Sequence, residues 1–164
     1  MKGFRNQSGL SKIVSAPIMT LDRFVENHPD LCKHKSKNNL VGMTSGGFDP
    51  INPGHAGCIL DSSNHCDILV VAVNGDSFLT KKKGHLFMNV DARCRLISFI
   101  RGVDYVVSFD GFDENDMTAE RALKSIVPDI FFKGEDREDI TTIPEWNLCL
   151  KLRIDIKTGM GKVG

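Results

Sequence analysis

The residues best suited to do chemistry in this chain lie between Gly46 and His55, directly after the apolar run at 40–44. Glycines there would let the main chain approach an anion closely. Pro53 suits the first position of a helix, where no N–H is needed. A helix start offers unpaired N–H groups and a partial positive charge, and His55 would project from its first turn. The pattern therefore predicts a strand, a glycine-rich turn and a helix that together hold the phosphates of a nucleoside triphosphate.

Strands and helices alternate along the chain, which places this turn at the edge of a sheet. Apolar segments typical of buried strands occur at 40–44, 68–73, 105–107, 130–132 and 152–156. Helical patterns lie between them, among them one at 114–126, so we expect a Rossmann-like α/β fold, with a parallel sheet of about five strands and helices on both faces. Ligands of such sheets bind beyond the carboxyl ends of the strands, and the glycine-rich turn follows such an end.

The chain resembles the nucleotidyltransferase superfamily of cytidylyltransferases and small-molecule adenylyltransferases in four segments that keep the family's order. Residues 47–55 look like its GxFDxxHxGH signature. Residues 73–84 resemble the second-strand exit and lysine segment of the ADP-heptose synthase nucleotidyltransferase domain. Residues 93–107 are similar to the paired-arginine segment of glycerol-phosphate and choline-phosphate cytidylyltransferases. Residues 128–136 look like the fourth strand and the nucleotide-facing turn of both groups.

This resemblance covers roughly residues 40–158 and implies a division of the chain into two parts. Residues 1–38 would form an N-terminal arm with a short helix that Thr20 caps, ending in a basic linker at 33–37. Residues 39–164 would form the nucleotidyltransferase domain. The family also suggests a homodimer.

The resemblance implies catalytic roles for His55, Asn52 and Lys83. His55 corresponds to the second histidine of the signature and would donate to the α- or β-phosphate. Asn52 stands where the first histidine usually lies; an asparagine can donate a hydrogen bond there but carries no charge. It could equally be an ordinary turn residue before Pro53. Lys83, before Gly84, would bring a mobile positive charge to the phosphates.

The binding residues implied by the family form two groups. The nucleotide would contact Gly46, Gly47, Phe48, Asp49, Asn52, Gly54, His55, Lys133, Gly134 and Asp136. Phosphates of the nucleotide or the acceptor would contact Lys81, Lys83, Arg93 and Arg101. The lysines are expected in a loop, and three in a row are also typical of a solvated loop. The two arginines would lie on one side of a helix, about 12 Å apart along its axis, and surface ion pairing is the alternative for them.

Composition excludes several other classes of protein. The 164 residues carry 21 basic and 21 acidic side chains, so a broad nucleic-acid-binding face is not expected. No apolar run approaches the roughly 20 residues that span a bilayer, and no secretory signal is seen at the N-terminus. Five scattered cysteines predict reduced thiols and a cytoplasmic protein. The spacing of His55 and Cys58 would suit a metal ion, but no second tight pair follows, and His65 and Cys66 do not complete a cluster. A structural zinc site is therefore not expected, and Mg²⁺ is expected to arrive with the triphosphate.

The function implied is transfer of a nucleoside monophosphate from CTP or ATP to a phosphorylated sugar or polyol, such as glycerol 3-phosphate or heptose 1-phosphate, with release of pyrophosphate. Residues 101–104 favour CTP, whereas residues 73–76 and 132–134 favour ATP. One alternative is a coenzyme-precursor adenylyltransferase of the pantetheine-phosphate or nicotinamide-mononucleotide type. Another is a non-catalytic nucleotide-binding module, suggested by Asn52 and by residues 159–164, which lack the family's serine/threonine motif.

Overall fold

The computed structural model describes residues 4–5, 11–12, 15–33 and 39–162. The strands are β1 (Phe4–Arg5), β2 (Ser11–Lys12), β3 (Ile18–Thr20), β4 (Val41–Gly46), β5 (Ile68–Asn74), β6 (Tyr105–Phe109), β7 (Ile130–Phe132) and β8 (Asp155–Lys157). The α-helices are α1 (Leu21–Asn27), α2 (Pro53–Ser63), α3 (Asp76–Lys83), α4 (Val90–Ser98), α5 (Glu120–Ile126) and α6 (Trp146–Leu152). Short 3₁₀ turns lie at Pro29–Leu31 and Ile140–Thr142.

Six strands form one parallel sheet in the order β3-β6-β5-β4-β7-β8, and β1 pairs with β2 in a separate antiparallel hairpin. The chain builds outward from β4 in one direction through β5 and β6 and in the other through β7 and β8. The order therefore reverses between β4 and β7, which is where ligands of such sheets bind. The α/β prediction is confirmed. The additional strand, β3, has only three residues, too few to show a pattern in the sequence.

Alternate residues of β5 enter two separate hydrophobic clusters, one on each face of the sheet. Leu69, Val71 and Val73 pack with α2 and α4, whereas Val70 and Ala72 pack with α1, α5 and α6. This alternation follows from the two-residue period of a strand, and burial of both sets explains why the strand is apolar throughout. The helices thus cover both faces, as expected.

The N-terminal segment contributes to the same core. Thr20 caps α1 by accepting the Arg23 N–H at 3.3 Å, and Leu21 and Phe24 of that helix are buried against the sheet. The division at residue 38 stays a prediction, but β3 and α1 share their core with the domain that follows. Residues 34–37 of the expected basic linker lie outside the described residues.

Two expectations about local structure are wrong. Residues 81–83 form the last turn of α3, not a loop, and Gly84 ends that helix in the left-handed conformation with its N–H on Thr80 O. The helix expected from residue 114 begins only at Glu120. Before it, Asp113 and Asp116 accept N–H groups two residues on, and such local side-chain bonds compete with a helix.

Candidate active site

The glycine-rich turn follows β4 and turns the chain toward α2. β4 ends at Gly46, and Phe48 has a φ of 53°, a left-handed conformation that is uncommon for a residue with a side chain. The Phe48 ring is buried, and its centroid lies 5.3 Å from that of the His55 ring in an edge-to-face contact. This contact joins the turn to the first turn of α2.

Asn52 and His55 form a reciprocal cap at the start of α2. Asn52 Oδ1 accepts the His55 N–H at 3.0 Å, and His55 Nδ1 accepts the Asn52 N–H at 3.2 Å. Because Nδ1 is an acceptor, a neutral ring carries its proton on Nε2, which leaves an N–H donor for a ligand. Desolvation by burial lowers the pKa of His55, which favours this neutral form. In the first turn, the Gly54 N–H has no acceptor among the described residues.

Arg93 supports the turn from behind. Its guanidinium is fully buried and donates to Gly47 O at 2.8 Å, Asn74 O at 2.6 Å and Met88 O at 3.0 Å. It also pairs with Asp76 at 2.8 Å. A planar group with five donors suits this arrangement, which ties the turn to the end of β5 and the start of α4. Arg93 therefore lies beneath the turn, and its guanidinium contacts backbone oxygens and Asp76 behind the turn.

Asp49 holds the segment before α4 against the turn. Its carboxylate accepts the N–H groups of Phe87 and Met88, each at 2.9 Å, and Lys83 Nζ lies 3.2 Å from Oδ2. Desolvation acts to raise the pKa of Asp49, but these hydrogen bonds and the lysine outweigh it, so the pKa is lowered. The Asp49 carboxylate is thus a structural anchor that joins the turn to the segment before α4.

A cavity of about 510 Å³ opens beside the turn at the carboxyl ends of β4 and β7. Its charged side chains are Lys82, Lys133, Lys162 and the single carboxylate Glu135, and His55 adds a neutral donor. Within this lining positive charge is in excess, which suits a polyanion, although Lys133 and Lys162 also lie beside Glu145 and Asp136 outside it. The remaining lining residues are small or apolar: Thr44, Ser45, Gly46, Gly47, Phe48, Gly54, Cys58, Phe132, Gly134, Met160 and Gly161.

The segment after β8 closes the far side of this cavity. Gly161 N donates to Asp61 Oδ2 at 2.8 Å, and Gly161 has a φ of 79°. A Cβ there would lie 2.5 Å from the Cys58 N atom, so only glycine fits against the first turns of α2. This contact places Met160 and Lys162 at the rim.

The structure brings together seven of the predicted nucleotide-binding residues in the cavity wall: Gly46, Gly47, Phe48, Gly54, His55, Lys133 and Gly134. Asp49 and Asn52 lie next to it but use their side-chain oxygens to hold the turn and cap α2. Asp136 pairs with Lys162 at the rim. The individual roles of all these residues stay predictions.

The three consecutive lysines point in three directions, because successive residues of a helix are about 100° apart. Lys81 donates to Asn115, and Lys83 donates to the backbone oxygen of Asp49 at 2.5 Å as well as contacting its carboxylate. Lys82, the middle lysine of the run and not among the predicted site residues, lines the cavity. The expected loop carrying Lys81 and Lys83 to the phosphates is therefore replaced by a helix that presents Lys82.

Arg101 lies at the opposite edge of the sheet. It follows α4, which starts near the turn and runs back toward the amino ends of the strands. Its neighbour Gly102 packs on Ser63 at the end of α2, and Asp104 accepts the Leu69 N–H at the start of β5. The structure thus separates Arg101 from the cavity that Arg93 supports, contrary to the expectation that both contact phosphate.

Sequence reasoning did not select several residues of the wall. Thr44 and Phe132 lie at the ends of β4 and β7 and could have been found from the strand-end rule. Cys58 follows His55 by three residues and so shares its helix face. Met160 and Lys162 carried no signal, because they reach the cavity through the tight Gly161 contact.

A parallel α/β sheet with a glycine turn, a capped histidine at a helix start and a basic cavity is the architecture of nucleotidyltransferases. Residues 43–157 match the family model described as Cytidylyltransferase-like. The chain belongs to this family, within the nucleotidyltransferase superfamily that its motifs predict.

Curated relatives include the bifunctional protein HldE of Granulibacter bethesdensis, 35% identical over 112 residues, and that of Hyphomonas neptunium, 38% identical over 104 residues. These matches cover 66% and 61% of this chain but only 22% and 20% of the relatives, so the chain spans about a fifth of their length.

Solved structures agree on the fold. A lipopolysaccharide core biosynthesis protein from Thermoplasma volcanium is 26% identical, with a TM-score of 0.55 over 74% of this chain and 94% of that one. A pantoate-beta-alanine ligase from Francisella tularensis, 12% identical with a TM-score of 0.63 over 88% of this chain and 66% of that one, shows the fold alone. No helix within the described residues is long and apolar enough to cross a membrane.

Proposed function

We propose that the chain transfers a nucleoside monophosphate from ATP or CTP to a sugar phosphate and releases pyrophosphate. The observation that carries this proposal is the basic cavity beside His55, in which three lysines accompany one carboxylate. Nucleotidyl transfer needs alignment and positive charge more than covalent help from the protein, and the cavity offers both.

In this proposal the triphosphate lies over the first turn of α2. His55 Nε2–H and the Gly54 N–H donate to its phosphate oxygens, and the lysines at the rim attract its negative charge. An oxygen of the acceptor phosphate attacks the α-phosphorus in line with the departing pyrophosphate. The new P–O bond forms as the bond to the β-phosphate oxygen breaks, and the charge that develops is met by donors already in place.

The acceptor is proposed to be a sugar phosphate because two kinds of relative favour it. HldE proteins are the curated relatives, and the solved relative from Thermoplasma volcanium is described as acting in lipopolysaccharide core biosynthesis, which concerns a glycan. The nucleotide is left as ATP or CTP. A homodimer, a cytoplasmic location and the absence of nucleic-acid and membrane partners stay predictions.

Mg²⁺ is proposed to enter with the triphosphate. No group of three or more His, Cys, Asp or Glu side chains converges within the described residues, and Glu135 alone brings a carboxylate to the cavity wall. Such a donor set fits an ion that keeps most of its ligands from phosphate and water, because magnesium dehydrates reluctantly.

The test is a pyrophosphate-release assay of the full chain with Mg²⁺, crossing ATP and CTP with heptose 1-phosphate, glycerol 3-phosphate, phosphopantetheine and nicotinamide mononucleotide. Turnover with a sugar phosphate supports the proposal. Turnover with a coenzyme precursor alone would assign the alternative adenylyltransferase class. His55→Ala should lose this turnover, and His65→Ala is its matched control, because His65 lies just beyond the far end of α2, outside the cavity wall.

A second candidate is a nucleotide-binding module without catalysis, and Asn52 favours it. Its Oδ1 is already committed to the His55 N–H, so in this place it supplies a cap and no charge. In that case, ATP or CTP binds in calorimetry, no acceptor yields pyrophosphate, and Asn52→His does not create turnover.

A further inference from the structure

A buried carboxylate lies behind the cavity, outside the residues that line it. The side chain of Glu145 is only 6% exposed. Its Oε1 accepts the Ala119 N–H at 3.1 Å, and Ala119 and Glu145 are the residues that precede the first turns of α5 and α6. Oε2 is buried and has no hydrogen-bond donor among the described residues. A buried charge with an unused acceptor is costly and needs an explanation.

The positive charge nearest to Oε2 belongs to the cavity wall. Lys133 Nζ lies 4.0 Å from Oε2, too far for a hydrogen bond but close enough for a strong Coulombic attraction in a buried place. The ammonium also lies over the Phe131 ring, 5.5 Å from its centroid. The main chain of Lys133 is fixed on both sides, because its N–H donates to Lys157 O at 2.8 Å and its oxygen accepts the Met160 N–H at 3.2 Å.

We propose that Glu145 is a positioning residue, which orders the ammonium of Lys133 at the cavity wall so that it meets an anionic nucleotide with little loss of side-chain freedom. A free lysine has many rotamers, and ordering them on binding costs entropy. The buried carboxylate favours the rotamers that place Nζ beside it, so this cost is met on folding. The inference rests on the proposed function, since the ligand is a nucleoside triphosphate.

Glu145→Gln separates this role from a structural one. The amide oxygen still accepts the Ala119 N–H, so the helix contact is kept while the attraction for Lys133 is lost. We expect Kd for ATP or CTP, measured by calorimetry, to rise about tenfold with little change in Tm. In the Lys133→Met background the same substitution should have no further effect. Glu120→Gln is the matched control: Glu120 and Glu145 both act to raise the pKa of the buried Cys149 thiol, but within the described part of the chain Lys133 is paired with Glu145 and not with Glu120.

A second measurement does not need a nucleotide. In ¹H–¹³C spectra of lysine-labelled protein, the two Hε protons of an ordered Lys133 have separate shifts, which should merge in Glu145→Gln. Separate shifts in the variant, an unchanged Kd, or an equal loss of affinity in the Lys133→Met background would each overturn the proposal. If the wild-type chain binds neither ATP nor CTP, the proposed function fails, and the spectra alone decide whether Glu145 orders Lys133.

Discussion

The two ends of the strands in the parallel sheet differ in whether their hydrogen-bond donors have partners within the protein. At the amino edge, Asp67, Asp104 and Asp129 accept the N–H groups of Leu40, Leu69 and Val41, at 2.7, 2.7 and 2.8 Å. Each of these carboxylates accepts a backbone N–H at the start of β4 or β5. At the carboxyl edge, the Gly54 N–H, the outer nitrogen of His55 and three lysines face a cavity. The protein completes the hydrogen bonds of one edge, whereas the donors of the other edge face the cavity.

The carboxyl edge itself has two layers, and burial separates them. Arg93 and Asp49 are buried behind the glycine turn, and every described bond of theirs goes to the protein. In front of the turn, Lys82, Lys133 and Lys162 keep partly exposed ammonium groups. A residue's type therefore does not reveal its function here. Side chains behind the turn should govern stability, and those in front of it should govern binding and catalysis.

The largest effect is expected for Arg93→Met. The substitution leaves three carbonyl oxygens and Asp76 without the donor that the buried guanidinium provides, so we expect a loss of about 3–5 kcal/mol in the free energy of unfolding. Arg101→Met, at the amino edge, should change it by less than about 0.5 kcal/mol. Both are measured by urea denaturation. Equal stability of the two variants would contradict the inference that Arg93 stabilises the fold whereas Arg101 does not.

A smaller free-energy change, confined to catalysis, is expected for His55→Ala. It removes one donor aimed at the phosphates, and loss of one such donor typically lowers kcat by about 10²–10³-fold. The Asn52 cap on the residue-55 N–H is kept, so unfolding should change by less than about 1 kcal/mol. Steady-state pyrophosphate release provides the measurement. Unchanged kcat with a sound fold would contradict the role given to His55.

The signals that predicted the glycine turn and α2 are local, which is why they could be read from the sequence. A strand of β-branched and small residues, glycines, Asn52 as a cap and Pro53 at the first helical position specify their own geometry within a dozen residues. The arginine pair was misjudged for a different reason. The two were expected on one side of a helix, but α4 ends at Ser98, so Arg93 lies in α4 near the turn and Arg101 lies beyond the end of this helix.

The other missed features depend on tertiary contacts. Gly75 before α3 offers no side-chain cap, so that helix and the direction of its lysines had no local signal. Glu145 lies twelve positions after Lys133 in the sequence and reaches it only because α6 packs beside β8 and α5. Lys162 enters the cavity wall through Gly161, whose left-handed backbone shows only in the structure. The fold class could be predicted from the sequence, but which side chains lie behind the glycine turn and which line the cavity could not.

Lys82→Ala and Lys81→Ala provide a sharper comparison within one helix turn. Lys82 lines the cavity, so its loss should raise Kd for the nucleotide about 5–10-fold, the effect of removing one charge-assisted contact. Lys81 donates to Asn115 and should change Kd less than about twofold. Calorimetry with ATP and CTP measures both. A larger increase in Kd for Lys81→Ala than for Lys82→Ala would contradict the placement of Lys82, rather than Lys81, at the cavity.

The smallest effect is expected in proton linkage at His55. Desolvation lowers its pKa from 6.5, so the folded protein binds fewer protons than the unfolded chain just below that pH. Its contribution to stability is complete above pH 6.5 and declines as the pH falls toward the folded pKa.

A bound triphosphate favours the imidazolium form of His55 and opposes this lowering of its pKa. At about pH 6, binding should therefore take up a fraction of a proton, seen as a dependence of calorimetric enthalpy on buffer. The phosphates titrate in the same range, so the comparison with His55→Ala isolates the histidine. Equal proton uptake by the two proteins would mean that the nucleotide does not approach His55 Nε2 and that its phosphates bind at another place.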